Sequence, residues 1–280
     1  MGLLLALLSA IVYGCGDFCG GKSTRLAASS TVTFSSQLVG LMVLGTGLLL
    51  VPGDGPTWRA LGFGALGGIG GALGLLLLYH GLAIGTMSIV SPVAAVTAAT
   101  IPVAAGTLLF DERPGWLAFV GIVFALTAIA LVSIGGSGGP TPHSARIVAI
   151  ALGAGTGFGL FFVFLARAGD PKVVGLWGLA GARPVSIAVS GLLAKRQGNR
   201  LFPPRPAWPL VALAGVLDQL ANVIYVLSIG RGLLSLLAVL ASLYPVSTVA
   251  LARAIDRERL RPGQLAGLGF ALGGLVLMAV

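Results

Sequence analysis

Ten apolar stretches, each about as long as a bilayer is thick, fill nearly the whole of this 280-residue chain and constrain its fold more than any other feature. A helix needs about 20 apolar residues to cross the hydrocarbon core, and the candidate spans cover 2–20, 32–51, 60–79, 87–109, 116–134, 146–166, 173–194, 208–229, 233–252 and 263–280. Charged residues make up 9% of the chain, where a soluble domain carries roughly 25%. That is too little polar surface to solvate a globule of this size. A transmembrane barrel needs short alternating strands, whereas these runs are long and rich in Leu, Ala and Gly. The expected fold class is all-α, a polytopic membrane protein of ten transmembrane helices, in which every backbone group is satisfied within lipid.

The joints between spans are short and carry Gly, Pro or charge where helices stop: Pro52 to Pro56, Asp111 to Pro114, Gly135 to Pro142 and Lys195 to Pro209. None is long enough for an extramembrane domain. The segment Met1-Gly2-Leu3-Leu4-Leu5 lacks the basic start of a signal sequence, and no small-x-small cleavage site closes the run. It reads as a first permanent helix. Cys15 and Cys19 lie one turn apart inside that helix, and two thiols alone make a poor metal site, so neither a metal nor a cofactor is expected.

A net charge of +9 raises the question of nucleic acid, but the basic residues are scattered over helix ends rather than gathered on one soluble face. Membrane orientation accounts for them. An outside N-terminus puts Lys22, Arg25, Arg146, Lys195, Arg196, Arg200, Arg205, Arg253, Arg257, Arg259 and Arg261 on the cytoplasmic side. It leaves Arg59, Arg113, Arg167, Lys172 and Arg231 on the other, and the positive-inside rule favours that arrangement.

The chain also repeats itself. Tyr79 matches Tyr225, Glu112-Arg113 matches Glu258-Arg259, and Gly121-x-x-Phe124-Ala125-Leu126 matches Gly267-x-x-Phe270-Ala271-Leu272, all 146 residues apart (267 − 121 = 146). At a spacing of 145 (158 − 13 = 145), Tyr13-Gly14 meets Phe158-Gly159 and Lys22 meets Arg167. The expected units are 1–138 and 139–280, five spans each. An odd number of spans inserts the second copy upside down, and inverted repeats build two access states around one midplane site in many secondary transporters.

With the acidic-basic runs Phe110-Asp111-Glu112-Arg113 and Asp256-Arg257-Glu258-Arg259 after the fourth and ninth spans, the five-plus-five plan resembles the drug/metabolite transporter superfamily, specifically its EamA-type members. Ser242-Leu243-Tyr244-Pro245-Val246 is similar to that family's proline-containing helix, and Gly14-Cys15-Gly16-Asp17-Phe18 sits where its first helix carries a Gly-x-x-Phe-like stretch. The resemblance covers the whole chain and implies a membrane transporter. One departure stands out: Pro245 aligns with Ala99, while span four has Pro92 and Pro102 instead, so the two halves are expected to bend differently.

Charged groups inside spans are costly and normally face a cavity or a partner. Three lie clearly mid-membrane: Asp17, Arg183 and Asp218. Ser9, Tyr13 and Asp17 share one helical face, as do Asp218, Asn222 and Tyr225. With Gln37 and Arg183 these stripes are the expected lining of a central cavity. The structural alternatives are ion pairs, Asp17 with Lys22 and Asp218 with Arg183, and Arg183 satisfying the carbonyl that Pro184 frees. Tyr79 and Tyr225 also read as interfacial anchors, and His80 as a group at a span end. The pairs Gly64/Gly68, Gly67/Gly71 and Gly70/Gly74 are spaced for close helix approach. Pro92, Pro102 and Pro245 are the expected gating kinks.

The mechanism these features favour is alternating access, as an exporter in a bacterial cytoplasmic membrane, working as a monomer or homodimer. A low-dielectric interior favours the neutral form of a carboxylic acid, so substrate and proton would compete for Asp17. Small multidrug transporters, which each half resembles, place a coupling acid in the first helix; here Phe162 occupies the equivalent place in the sixth span. The expected partners are protons, the lipid bilayer and a small-molecule substrate (amino acid, metabolite or drug), two acids with one arginine suiting an amphoteric one. A lipid-carrier flippase or passive channel of the same fold is the nearest alternative. A more distant one is an intramembrane aspartyl protease using Gly14-Cys15-Gly16-Asp17 and Asp218, which the five-span repeat and the missing Pro-Ala-Leu sequence oppose.

Overall fold

The computed structural model describes residues 1–51, 53–109, 142–229, 231, 234–257 and 262–279, with positions 116, 117, 119–121, 123, 124 and 127. The expected fifth span, 116–134, falls largely outside these residues, and Glu112-Arg113 and Glu258-Arg259 wholly so. The long helices are α1 (Gly2–Ser23), α2 (Ser29–Leu50), α3 (Trp58–Ile84), α4 (Met87–Leu109), α5 (Pro142–Arg167), α6 (Trp177–Arg196), α7 (Trp208–Ser228) and α10 (Pro262–Ala279). Between the last two, the ninth span is divided into α8 (Leu234–Ala241) and α9 (Pro245–Ile255). Among the described residues, eight segments are long and apolar enough to cross a membrane.

Local chemistry sets the ends. The Thr57 hydroxyl accepts the Ala60 N–H at 3.1 Å and caps α3. That helix runs to Ile84, a turn further than its apolar run suggested, so His80 lies within it rather than at its end. The seventh span begins later than expected. A one-turn helix, Pro171–Val174, is followed by Gly175 at φ 54°, a left-handed conformation that stops it before α6 starts at Trp177. In the fourth span helix continues through Pro92 and Pro102. In the ninth it stops, and Pro245 opens a new helix in the first turn, where its missing N–H costs nothing.

The two halves interlock. Helix α1 packs along α7 and against α8 and α9, while its repeat counterpart α5 packs along α3 and against α4. Likewise α2 lies against α7 as α6 lies against α3, and α2 and α6 meet each other. Exchanging the halves therefore reproduces these contacts. The matched phenylalanines Phe124 and Phe270 touch, their ring centroids 5.1 Å apart. Large apolar side chains such as Leu4, Leu8 and Ile11 on α1 are left on the outside, as a lipid-facing surface requires.

Glycine makes the interlocking possible. A Cβ on Gly64 would lie 2.1 Å from the Gly178 carbonyl oxygen, and one on Gly68 2.3 Å from that of Ala182. On another face of α3, a Cβ on Gly70 would meet the Gly157 carbonyl at 2.8 Å and one on Gly74 would meet Phe158 at 2.9 Å. So α3 uses one pair of glycines against α6 and another against α5. Gly68→Ala is expected to destabilise the bundle by about 1–3 kcal/mol. Gly62→Ala, whose Cβ meets nothing within 4 Å, should leave the unfolding temperature in detergent unchanged or slightly raised.

Candidate functional site

Where α1, α2, α3, α5, α6 and α7 converge, the bundle encloses a cavity of about 60 Å³. One water needs roughly 10–15 Å³ on this measure, so the space suits a few waters or a small solute. Its two long walls differ in chemistry. Tyr13 and Asp17, four residues apart on α1, and Asp218 and Asn222, four apart on α7, make a polar wall. Phe158, Phe161 and Phe162 of α5 with Gly71 and Leu75 of α3 make the apolar part of the lining. Gln37 and Arg183 join the lining from α2 and α6, and Tyr244 from the break in the ninth span.

A hydrogen-bonded network ties down most of the polar wall. Arg183 is 5% exposed, and each of its three nitrogens donates to a side chain. Nε bonds Gln219 Oε1, Nη1 bonds Gln37 Oε1, and Nη2 pairs with Asp218 Oδ2 at 2.8 Å. The Asn222 amide donates to the Asp218 backbone carbonyl at 2.7 Å, and the Tyr13 hydroxyl donates to Asn222 Oδ1 at 2.9 Å. Arg183 is therefore held by side chains on α2 and α7, not by the carbonyl that Pro184 frees.

Two groups stand outside that network. Asp17 is 8% exposed, and among the described residues it has no hydrogen-bond or ion-pair partner. The expected partner, Lys22, reaches Asp256 instead at 2.8 Å, and Arg25 takes the other oxygen of the same carboxylate at 2.7 Å. The reason is positional: Lys22 lies in the last turn of α1, where the C-terminal end of α9 brings Asp256 alongside. The Tyr244 hydroxyl, on a side chain 5% exposed, is likewise buried without a partner among the described residues.

Not every expected residue reaches the cavity. Tyr225 is fully buried in an apolar cluster, its ring 4.7 Å from that of Phe162, and is absent from the lining. Tyr79 is also fully buried, packed where Gly20 leaves room for its ring. Neither anchors an interface: α3 and α7 bury both rings against other helices. Pro92 and Pro102 sit in α4, away from the lining, while Pro245 follows Tyr244 directly. Here α1 comes unusually close. A Cβ on Gly14 would lie 2.3 Å from the Tyr244 carbonyl oxygen, and the Thr248 and Ser247 hydroxyls donate to the carbonyls of Gly14 and Ile11, both at 3.2 Å.

Sequence reasoning missed Tyr244, the three phenylalanines and Gln219. One signal was available: Gln37 and Arg183, which bond each other, are 146 residues apart, the repeat spacing itself. A side chain that touches its own repeat counterpart lies where the halves meet, at the centre of the bundle. Because Arg183 compensates Asp218, Arg183→Met should cost about 1–3 kcal/mol by leaving a partly buried carboxylate, 19% exposed, unpaired. Adding Asp218→Asn should recover much of that loss, measured by detergent unfolding of the single and double variants.

The sequence matches the EamA-like transporter family twice, over residues 1–134 and 145–280. A solved structure described only as "Crystal structure of protein" superposes with a TM-score of 0.71 at 17% identity, covering 100% of this chain and 98% of that one; at that identity the likeness concerns the fold alone. No curated protein matches the chain.

Proposed function

Since this chain belongs to the EamA-like transporter family, and is a multi-pass membrane protein of that transporter class, we propose that it exports small metabolites or drugs by alternating access around the central cavity, with protons as the coupling ion. The observation that carries this reading is Asp17, a buried carboxyl without a partner among the described residues, lining a cavity beside the Arg183–Asp218 ion pair. An intramembrane ionisable group left open in this way marks an ion or substrate path. Substrate and proton then compete for one carboxyl, so binding one on either side of the membrane releases the other.

The packing supports an inverted arrangement of the halves, in which one set of helix contacts opens as its counterpart closes. On one side α1 is pressed onto the break in the ninth span through Gly14, Ser247 and Thr248. Nearer the helix ends, Lys22 and Arg25 grip Asp256. Charge distribution makes this end cytoplasmic, so the described conformation is latched towards the cytoplasm. Helix α9 pivots at Tyr244 and Pro245, while the prolines of α4 supply the opposing bend. The protease alternative finds no support in this geometry: Asp218 is committed to Arg183 and is not free to share a proton with Asp17.

In proteoliposomes, counterflow with a panel of amino acids and cationic drugs should reveal exchange that an imposed proton gradient accelerates. Asp17→Asn should abolish the acceleration; full activity of that variant, with transport indifferent to the gradient, would remove the coupling. Asp256→Asn removes both ion pairs of the latch and should change the exchange rate several-fold with little effect on substrate affinity. An unchanged rate would remove the latch from the mechanism.

A further inference from the structure

Between α6 and α7 the chain carries four basic residues and no acid: Lys195, Arg196, Arg200 and Arg205. All four are exposed, and among the described residues none has an ion-pair partner. The connection lies at the same end of the bundle as the start of α2, where the Asn199 amide donates to Ser30 Oγ at 2.9 Å. Asp256, an acid of this end, is already shared by Lys22 and Arg25. Orientation in the membrane explains why basic residues gather on this side. It does not explain why these four sit on one fixed piece of backbone.

Connecting segments are usually more mobile than the elements they join, but here buried hydroxyls of α2 hold the chain down. Thr31 and Ser35 donate to the carbonyls of Arg200 and Leu201 at 2.5 and 2.9 Å, and Ser30, Thr31 and Ser35 are all buried. Phe202 packs edge-on to Phe34 of α2, centroids 6.0 Å apart, and stacks on Trp208 at 6.3 Å. These ties use backbone carbonyls, Asn199 and aromatic rings, so the basic side chains take no part in them. The neighbouring helix sets their depth. Pro184, Ala188, Leu192 and Arg196 fall four residues apart along α6 and are all exposed, a lipid-facing stripe that ends in a guanidinium. Phe202 is itself 56% exposed, and with Trp208 it stands at the level where aromatic rings meet headgroups.

We infer that this connection is a binding site for the headgroup phosphate of an anionic phospholipid in the adjoining leaflet. The four basic side chains donate to the phosphate, Phe202 and Trp208 lie beside the glycerol, and the acyl chains run past Leu192 of α6. An anionic lipid suits the site better than a soluble polyanion, because the stripe that leads to Arg196 is apolar and already faces lipid. A backbone fixed in advance avoids the ordering cost that a loose basic tail would incur on binding. The assignment needs the chain to lie in a membrane and is independent of what it transports.

Trp208 makes the site observable. It stands at this end of the bundle, whereas Trp58 and Trp177 open α3 and α6 at the opposite end and Trp116 begins the expected fifth span there. The full-length protein with those three changed to Phe is reconstituted in phosphatidylcholine vesicles that contain a minor fraction of brominated phosphatidylglycerol, or the same fraction of brominated phosphatidylcholine. The anionic lipid should quench Trp208 more strongly, by an enrichment of at least about tenfold over the bulk bilayer, as two or more Lys or Arg contacts to an anionic headgroup supply. Arg200→Gln with Arg205→Gln should remove most of that excess. Arg146→Gln with Arg253→Gln, at two exposed positions elsewhere on this end, should retain it. Each variant is taken only if its unfolding temperature is that of the parent, and Lys195→Gln with Arg196→Gln replaces the first pair if that pair does not fold. Equal quenching by the two lipids would overturn the site. So would equal loss in both variant pairs, the mark of diffuse attraction, or displacement of the excess by glycerol phosphate at the concentration of the lipid, the mark of a soluble phosphate. Exchange of solutes without any lipid preference counts against this site alone, whereas a lipid preference in a protein that exchanges nothing counts against transport alone.

Discussion

At the centre of the bundle a guanidinium is buried in what would otherwise be hydrocarbon, and three helices are committed to keeping it satisfied. Arg183 on α6 is bonded to Gln37 on α2 and to Asp218 and Gln219 on α7. An unpaired charge at this depth is costly enough that any working conformation has to keep these partners together or replace them. The network therefore acts as a fixed floor to the cavity.

Duplication built the frame, and divergence of the copies built the site. The halves pack in an exchanged pattern, each first helix lying along the third helix of the other half. Where the first copy has Tyr13 and Asp17, the second has Phe158 and Phe162. Identical copies would have lined the cavity with two equal walls. Two unlike walls instead make it amphipathic, able to hold a charged group on one side and apolar surface on the other.

The same divergence separates the fourth span from the ninth. Prolines at 92 and 102 are absorbed within α4, because a helix continues past a proline when neighbouring groups satisfy the carbonyl it frees. At Pro245 the helix stops, and the break is stitched to α1 by hydroxyls from Ser247 and Thr248. Gly14 allows this contact, having no Cβ to hold the backbones apart. The break is held by these few hydrogen bonds, and Tyr244 at its corner lines the cavity.

Hydropathy determined the membrane class and, among the described residues, placed eight apolar helices long enough to span, because helix length and apolarity are local properties that lipid reads directly; the duplication was legible in matched residues 145 or 146 apart. The glycine pairs of α3 were legible for the same reason: helical spacing places them on a face without reference to any neighbour. The stripe rule likewise put Tyr13 with Asp17, and Asp218 with Asn222, on the right faces. It failed for Tyr225, three residues beyond Asn222, because periodicity assigns a face but not the depth at which a neighbouring helix covers it. Which acid found the arginine was decided by tertiary structure. Asp17 and Asp218 look alike in the sequence, yet only α7 brings its carboxylate to Arg183, while α9 draws Lys22 away to Asp256. A contact between helices 35 residues apart, Arg183 with Asp218, and another across 234 residues, Lys22 with Asp256, make those choices.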